Sequence, residues 1–244
     1  MNMIEIKNLN KRFDGVRAVD NLSIKITKGV IAGIVGPNGS GKTTLINLLT
    51  GSIPSDSGAI TINGGKSIKK IKPHKIYCLG ITRTFQEIRL FNQMTALDNI
   101  LVALTKRNPF SALIEKNQNA QFDKARDILK LAGLWEKRDE LAVNLSYGQR
   151  KLMEIARALA AEAEIFLFDE PFAGLFPGVV NTVVSILKKL KEDNKTIVMV
   201  EHNMEIIREL CDWVIVMESG RALAQGRPEE VFQNIKVIDA YLGG

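Results

Sequence analysis

Cysteine is nearly absent from this chain. Cys78 and Cys211 are the only two and lie far apart in sequence, so no disulfide framework is available, and the pair reads as two plain reduced thiols. Long apolar runs are missing too: none approaches the roughly 18 residues that a membrane-spanning helix requires, so any link to a membrane is expected to run through partners. The opening stretch, Met1 to Lys7, alternates in the manner of a strand and lacks the apolar core of a signal peptide. Histidine is scarce, with two residues, and there are no internal repeats or low-complexity linkers.

What is present is ordinary for a folded domain. The 244 residues, 45% hydrophobic and 25% charged, suffice for one large domain or one domain with an inserted lobe. A net charge of +6 suits nucleic acid, acidic lipid or nothing in particular. Its local concentration is at Lys66, Lys69, Lys70, Lys72 and Lys75. No aromatic residue is interleaved there for base stacking, so the stretch reads as a solvated loop rather than a nucleic-acid patch.

The most informative segment is GPNGSGKT at residues 36–43, which fits GxxxxGK[ST] between the apolar run 30–35 and the helical stretch 44–49. Glycines without a Cβ let the backbone curl and aim successive N–H groups at an anion. Lys42 is placed to reach the β- and γ-phosphates, Thr43 to set its hydroxyl on Mg²⁺, and the helix start adds its positive dipole end. Strand, loop and helix in this order imply a bound nucleoside triphosphate.

Around that loop the chain reads as follows. Residues 3–7 and 22–26 alternate like antiparallel strands, with a turn over Lys11–Gly15 between them. Phe13 in that turn is either a core residue or a platform for a purine ring. Residues 59–63 form a short strand, and Gly80–Gln86 reads as a β-branched strand ending on glutamine. From Glu87 to about Asn144 the pattern becomes helical. Thr95 caps a helix through Leu97, Ile100, Leu101 and Leu104 that Asn108–Pro109 breaks. A second helix, Ala120–Ala132, carries Phe122, Ala125, Ile128 and Leu129 and stops at Gly133, with Trp135 as a packing anchor. Ser146 in LSYGQ caps the next helix. IFLFDEP at 165–171 and TIVMVEH at 196–202 each read as a buried strand with polar residues at its end. A strand at 213–217, a hairpin at Gly220 and a helix opening at Pro228 complete the pattern. Strands separated by helices predict a parallel, doubly wound sheet.

In such a sheet ligands bind beyond the carboxyl ends of the strands, where Gly36, Gln86, Asp169 with Glu170, and His202 are expected to meet. Asp169 has the position of a metal-holding carboxylate, and Glu170 that of the base that polarises water. Gln86 is a candidate for orienting water or completing the metal shell. His202 is a candidate for touching the γ-phosphate or holding Glu170.

GPNGSGKT, the glutamine of RTFQ, LSYGQ, IFLFDEP and the histidine of VEHN, in this order and essentially end to end, resemble the ATP-binding subunit of an ABC transporter. The resemblance implies an α/β P-loop fold: a RecA-like core with an antiparallel β subdomain (1–86 and 161–244) and a helical subdomain (87–160). It implies ATP and Mg²⁺ as ligands, Phe13 stacked on adenine, and Thr43, Gln86 and Asp169 at the metal. It further implies two cassettes sandwiching two ATP molecules head to tail. Ser146, Gly148 and Gln149 of one would face the γ-phosphate held by Gly36, Asn38, Gly39, Ser40, Gly41, Lys42, Thr43 and Thr44 of the other. A helix N-terminus at Ser146 suits an anion.

The run 80–95, the tyrosine of LSYGQ and the ending AYLG at 240–243 are similar to the Liv type, the ATPases of branched-chain amino acid importers. That implies integral membrane permease subunits, a second cassette and, indirectly, a solute-binding protein as partners, at the cytoplasmic face of the cell membrane. The stretch after Gln86 would receive a coupling helix from the permease. Related cassettes serve urea, short amides or lipopolysaccharide. Three positions depart from the family pattern. Phe176 stands where Asn or Asp is usual, Asn203 stands where an acid often follows the histidine and reads as a helix cap, and the lysine-rich run is divergent.

The competing reading is a soluble ABC ATPase acting on nucleic acid or ribosomes. The gap of 60 residues between Gln86 and Ser146 has no room for a long coiled coil, and only one cassette is present, so nucleic acid is not expected as a partner. A non-hydrolysing switch is disfavoured by Glu170 and His202.

Overall fold

The alternating residues near the start pair as a hairpin in the computed structural model, which describes residues 1–105 and 118–242. Strands β1 (Asn2–Phe13) and β2 (Val16–Thr27) run antiparallel, and their inward apolar residues, Ile4, Ile6, Leu9, Leu22, Ile24 and Ile26, are buried. The turn is tighter than the five residues expected from sequence. Only Asp14 and Gly15 lie outside the strands, at φ +38° and +94°, the sense that matches strand twist in a two-residue hairpin.

After β3 (Ile31–Val35) comes helix α1 (Lys42–Leu49), and then β4 (Ser57–Ile62), which joins β1 to give a three-stranded sheet ordered β2-β1-β4. The second sheet contains β5 (Ile81–Arg83), β6 (Ile165–Asp169), β7 (Thr196–Val200), β8 (Trp213–Glu218) and β9 (Arg221–Gly226). Its order is β5-β6-β7-β3-β8-β9, parallel throughout except for the β9 edge. Every residue of β3, β6 and β7 is buried, which accounts for their unbroken apolar runs. Shorter helices α6 (Met204–Leu210), α7 (Pro228–Val231) and α8 (Ile235–Leu242) belong to the same part of the chain.

The molecule divides into two compact units. The first comprises 1–83, 164–171 and 188–244, and the second 84–163 and 172–187. In the first, Ile24 of β2, Leu45 of α1, Ile34 of β3 and Ile215 of β8 share one apolar cluster, so the antiparallel sheet, the α1 helix and the parallel sheet rest on a common core.

The second unit is helical. Thr95 caps α2 (Ala96–Leu104) by accepting from the Asp98 N–H. The break expected at Asn108–Pro109 lies outside the described residues. Helix α3 (Gln118–Leu131) ends at Gly133, which has φ +66°, with the Leu134 N–H returned to the Leu129 carbonyl. Trp135 packs edge-to-face with Phe122 at 6.0 Å. Helix α4 (Tyr147–Ala160) and most of α5 (Pro177–Glu192) complete the unit.

One strand is shorter than its sequence suggests. The β-branched run Gly80–Gln86 yields a strand only over Ile81–Arg83. Beyond it the Phe85 N–H donates to Glu154 Oε1 at 3.0 Å, so a side chain of α4 takes the bond that a neighbouring strand would have made. Gln86 therefore sits in an exposed bend three residues past the strand, not at its end. Cys78 is exposed and Cys211 buried, both free, and burial pushes the Cys211 thiol far up, so it remains protonated.

Two phenylalanines provide a test of this packing. Phe168→Ala empties a fully buried position on β6 and is expected to cost about 3–5 kcal/mol in urea unfolding. Phe176→Ala, at a residue 79% exposed, should stay within about 0.5 kcal/mol of the parent.

Candidate nucleotide-binding site

The glycine-rich loop bridges β3 and α1, and its shape is imposed by close backbone approaches. A Cβ on Gly36 (φ +145°) would run into the carbonyl oxygen of Met217 in β8. One on Gly41 (φ +101°) would run into that of Ala18 in β2. Only glycine satisfies both the positive φ and the missing space. Gly41 is also the residue from which α1 starts, with the Leu45 N–H donating to its carbonyl at 2.8 Å. Asn38 and Gly39 are exposed at the tip, Ser40 is buried, and Thr43 is exposed on the first turn of α1 beside half-buried Thr44.

Lys42, 6% exposed, folds back over the loop. Its Nζ donates to the carbonyls of Gly36 at 2.8 Å and Pro37 at 2.9 Å. Burial pushes its ammonium below the usual lysine range, while the negative charges of Glu170 and Asp169 pull it back up. An anion arriving at the loop would give Lys42 the countercharge it lacks.

Order β6-β7-β3 brings the carboxyl ends of those strands together. Asp169, the last residue of β6, is buried, and its Oδ2 meets Arg83 Nη2 at 3.2 Å. Arg83, from β5, also donates to Asn47 Oδ1 at 2.6 Å and Thr50 Oγ1 at 3.1 Å near the end of α1. Sequence reasoning gave no role to Arg83, although it stands in the RTFQ motif. Glu170 has φ +50° and donates its N–H to the Val200 carbonyl of β7. Its Oε1 lies 3.1 Å from His202 Nε2, so the expected Glu170–His202 pairing is present. Asn203 caps α6, accepting from the N–H groups of Glu205 and Ile206.

The turn between β8 and β9 supports the loop from the other side. The Gly220 N–H donates to the Ser40 carbonyl at 3.1 Å, and the Asp20 N–H to the Gly220 carbonyl at 2.9 Å. The Asp20 carboxylate in turn accepts from Arg221 Nε at 2.9 Å and Nη2 at 2.6 Å. Phe13, at the tip of the hairpin, is 43% exposed with Lys11 over its ring at 5.1 Å, which rules out the core alternative.

Ser146, Gly148, Gln149 and Gln86 lie in the second unit. Ser146 and Gln149 form a reciprocal capping box: Ser146 Oγ accepts from the Gln149 N–H, and Gln149 Oε1 from the Ser146 N–H. A Cβ on Gly148 would crowd Val179 at 3.1 Å. Among the described residues no group of three or more His, Cys, Asp or Glu side chains is placed to hold a metal ion. The buried Asp169 carboxylate and the Thr43 hydroxyl on the first turn of α1 are nonetheless oxygen donors of the sparse kind that suits Mg²⁺, which draws its remaining oxygens from phosphates and water.

A glycine-rich loop opening a helix, with a carboxylate pair at the end of a parallel strand of the same sheet, defines a P-loop nucleoside-triphosphatase core. The family model described as ABC transporter matches residues 19–173. Over 250 residues the chain is 36% identical to the high-affinity branched-chain amino acid transport ATP-binding protein LivG of Salmonella typhimurium, covering 99% of this chain and 98% of that one. It is 38% identical to a probable LivG of Archaeoglobus fulgidus, covering 100% and 96%. The solved ADP conformation of an ATP-binding cassette of an ABC transporter superposes with a TM-score of 0.87 at 34% identity, each chain covered in full. The chain belongs to the ABC transporter family. It is an ATP-binding, ATP-hydrolysing subunit associated with a membrane, and no helix among its described residues is long and apolar enough to cross one.

The Asp20–Arg221 pair yields a pH prediction. Arg221 holds the Asp20 carboxyl below its ordinary range, so the pair stabilises the fold above that range and the benefit is lost as pH falls through the lowered value. Thermal melts should show Asp20→Asn less stable than the parent at neutral pH, with the gap narrowing as the buffer is taken toward pH of about 3.

Proposed function

We propose that this chain powers a branched-chain amino acid importer from the cytoplasmic face of the cell membrane, working with permease subunits, a second cassette and, indirectly, a solute-binding protein. The observation that carries the reading is the joining of a complete glycine-loop cradle and a Glu170–His202 pair to a full-length similarity of 36–38% to transport ATP-binding proteins of that class.

In this reading the N–H groups of residues 39–44 and the Lys42 ammonium hold the phosphates, and Phe13 offers its exposed ring to the adenine. Thr43 and Asp169 would hold Mg²⁺, which would supply charge neutralisation at the phosphates. Arg83 fixes Asp169 in place through its ion pair. Glu170 takes the proton from water as general base, and the His202 hydrogen bond fixes the direction of its carboxylate. In a head-to-tail dimer, Ser146, Gly148 and Gln149 present the start of α4 to the γ-phosphate bound by the other cassette. Loss of that phosphate on hydrolysis removes the link and lets the dimer open. The exposed segment after Gln86 is the proposed contact with the permease.

Two measurements test this. Glu170→Gln should retain MgATP binding while phosphate release falls at least about 100-fold; turnover at the parent rate would overturn the assignment of the base. Affinity capture of tagged Glu170→Gln from membranes in mild detergent with MgATP should recover multi-span membrane proteins. Recovery of ribosomes or nucleic acid without them would overturn the transport reading.

A further inference from the structure

We propose that the lysine-rich face of residues 66–75 docks on the anionic phospholipid headgroups of the membrane, a contact separate from any protein partner. It rests on the transport reading only for the chain's place at a membrane surface.

The face is built rather than loose. Ile68 exchanges backbone hydrogen bonds with Ile60 of β4 at 3.0 and 2.7 Å, and Ser55 Oγ donates to the Lys69 carbonyl at 2.9 Å. Ile71 is buried in the core of the first unit, close enough to the loop after α1 that a Cβ on Gly51 would strike its carbonyl oxygen. Ile68, Ile76 and Leu79 pack on the same core, which leaves Lys66, Lys69, Lys70, Lys72 and Lys75 all exposed on the outer side.

The charge of this face is only lightly compensated: Lys70 helps to lower the Asp56 carboxyl, which Lys11 already engages. Lys188, Lys189, Lys191 and Lys195 each lie within 3.1 Å of a carboxylate oxygen, whereas none of the five lysines of the face makes an ion pair among the described residues. No Asp or Glu occurs between Asp56 and Glu87. The five lysines thus form a run of like charge in a chain whose net charge is +6. Exposed like charges repel at short range, and an anionic surface brought against them relieves that repulsion.

Headgroups fit that surface better than nucleic acid does. Single-strand binders interleave cations with rings that stack the bases, and no Phe, Tyr or Trp stands among the lysines of residues 66–75, the exposed ring of Tyr77 lying beyond them. A charged leaflet asks only for cations on an outward face, and each lysine near it strengthens partitioning by about fivefold at low salt.

The test compares the full-length protein with a K66Q/K69Q/K70Q/K72Q/K75Q variant in vesicle sedimentation. The vesicles are phosphatidylcholine alone, or phosphatidylcholine mixed about three to one with phosphatidylglycerol. The parent should partition onto the mixed vesicles at least about 100-fold more strongly than the variant and release at high salt, neither should bind phosphatidylcholine alone, and ATP turnover should be equal in both. Equal partitioning of the two proteins would overturn the proposal, as would a parent that ignores anionic vesicles. Tighter binding of the parent to single-stranded RNA than to the mixed vesicles, lost in the variant, would reassign the face and overturn it as well. Failure here with permeases recovered in the capture experiment would remove the lipid contact alone. Vesicle binding with ribosomes captured instead would remove the transport reading and leave the lipid contact.

Discussion

The close approach of three backbone segments around the glycine-rich loop is the constraint on which the rest of this structure depends. The carbonyl oxygens of Ala18 and Met217 stand where side chains on Gly41 and Gly36 would have to be, and the Gly220 N–H holds the Ser40 carbonyl. The loop is thus wedged between the antiparallel hairpin, the β8–β9 turn and α1. Its curvature is set by elements far away in sequence. A preformed cradle of this kind spares the protein the entropy of ordering a loop when an anion arrives.

Charge is arranged around the cradle with the same economy. Lys42 rests on two loop carbonyls and feels Glu170 and Asp169, while Arg83 neutralises Asp169 and ties it to the end of α1. The Glu170–His202 pair lies at the rim where water can reach it. The surface of residues 66–75 is organised in the opposite way, with cations displayed and no acids near them in sequence. That contrast within one compact unit separates a site built around its own counterions from a face built for external ones.

Much of the fold was legible because the physical signals were local. Continuous apolar runs marked β3, β6 and β7 as buried on both sides, and Thr95, Ser146 and Asn203 cap helices where the sequence places them. Local reasoning failed where another element competes. The run Gly80–Gln86 has strand propensity to its end, yet the Glu154 carboxylate captures the Phe85 N–H and stops β5 at Arg83. The hairpin turn shrank to Asp14–Gly15 because cross-strand pairing carries β1 to Phe13.

The sequence by itself determined the loop, the order of its motifs and the family, since GPNGSGKT, LSYGQ and IFLFDEP are contiguous patterns whose chemistry needs no distant partner to be read. Only the tertiary structure decided which remote groups complete the site. Arg83 on Asp169, Arg221 on Asp20 and Gly220 on Ser40 join residues 86, 201 and 180 positions apart. No periodicity encodes such pairs, because they are set by strand order and by how sheets and helices pack, not by the spacing of residues along the chain.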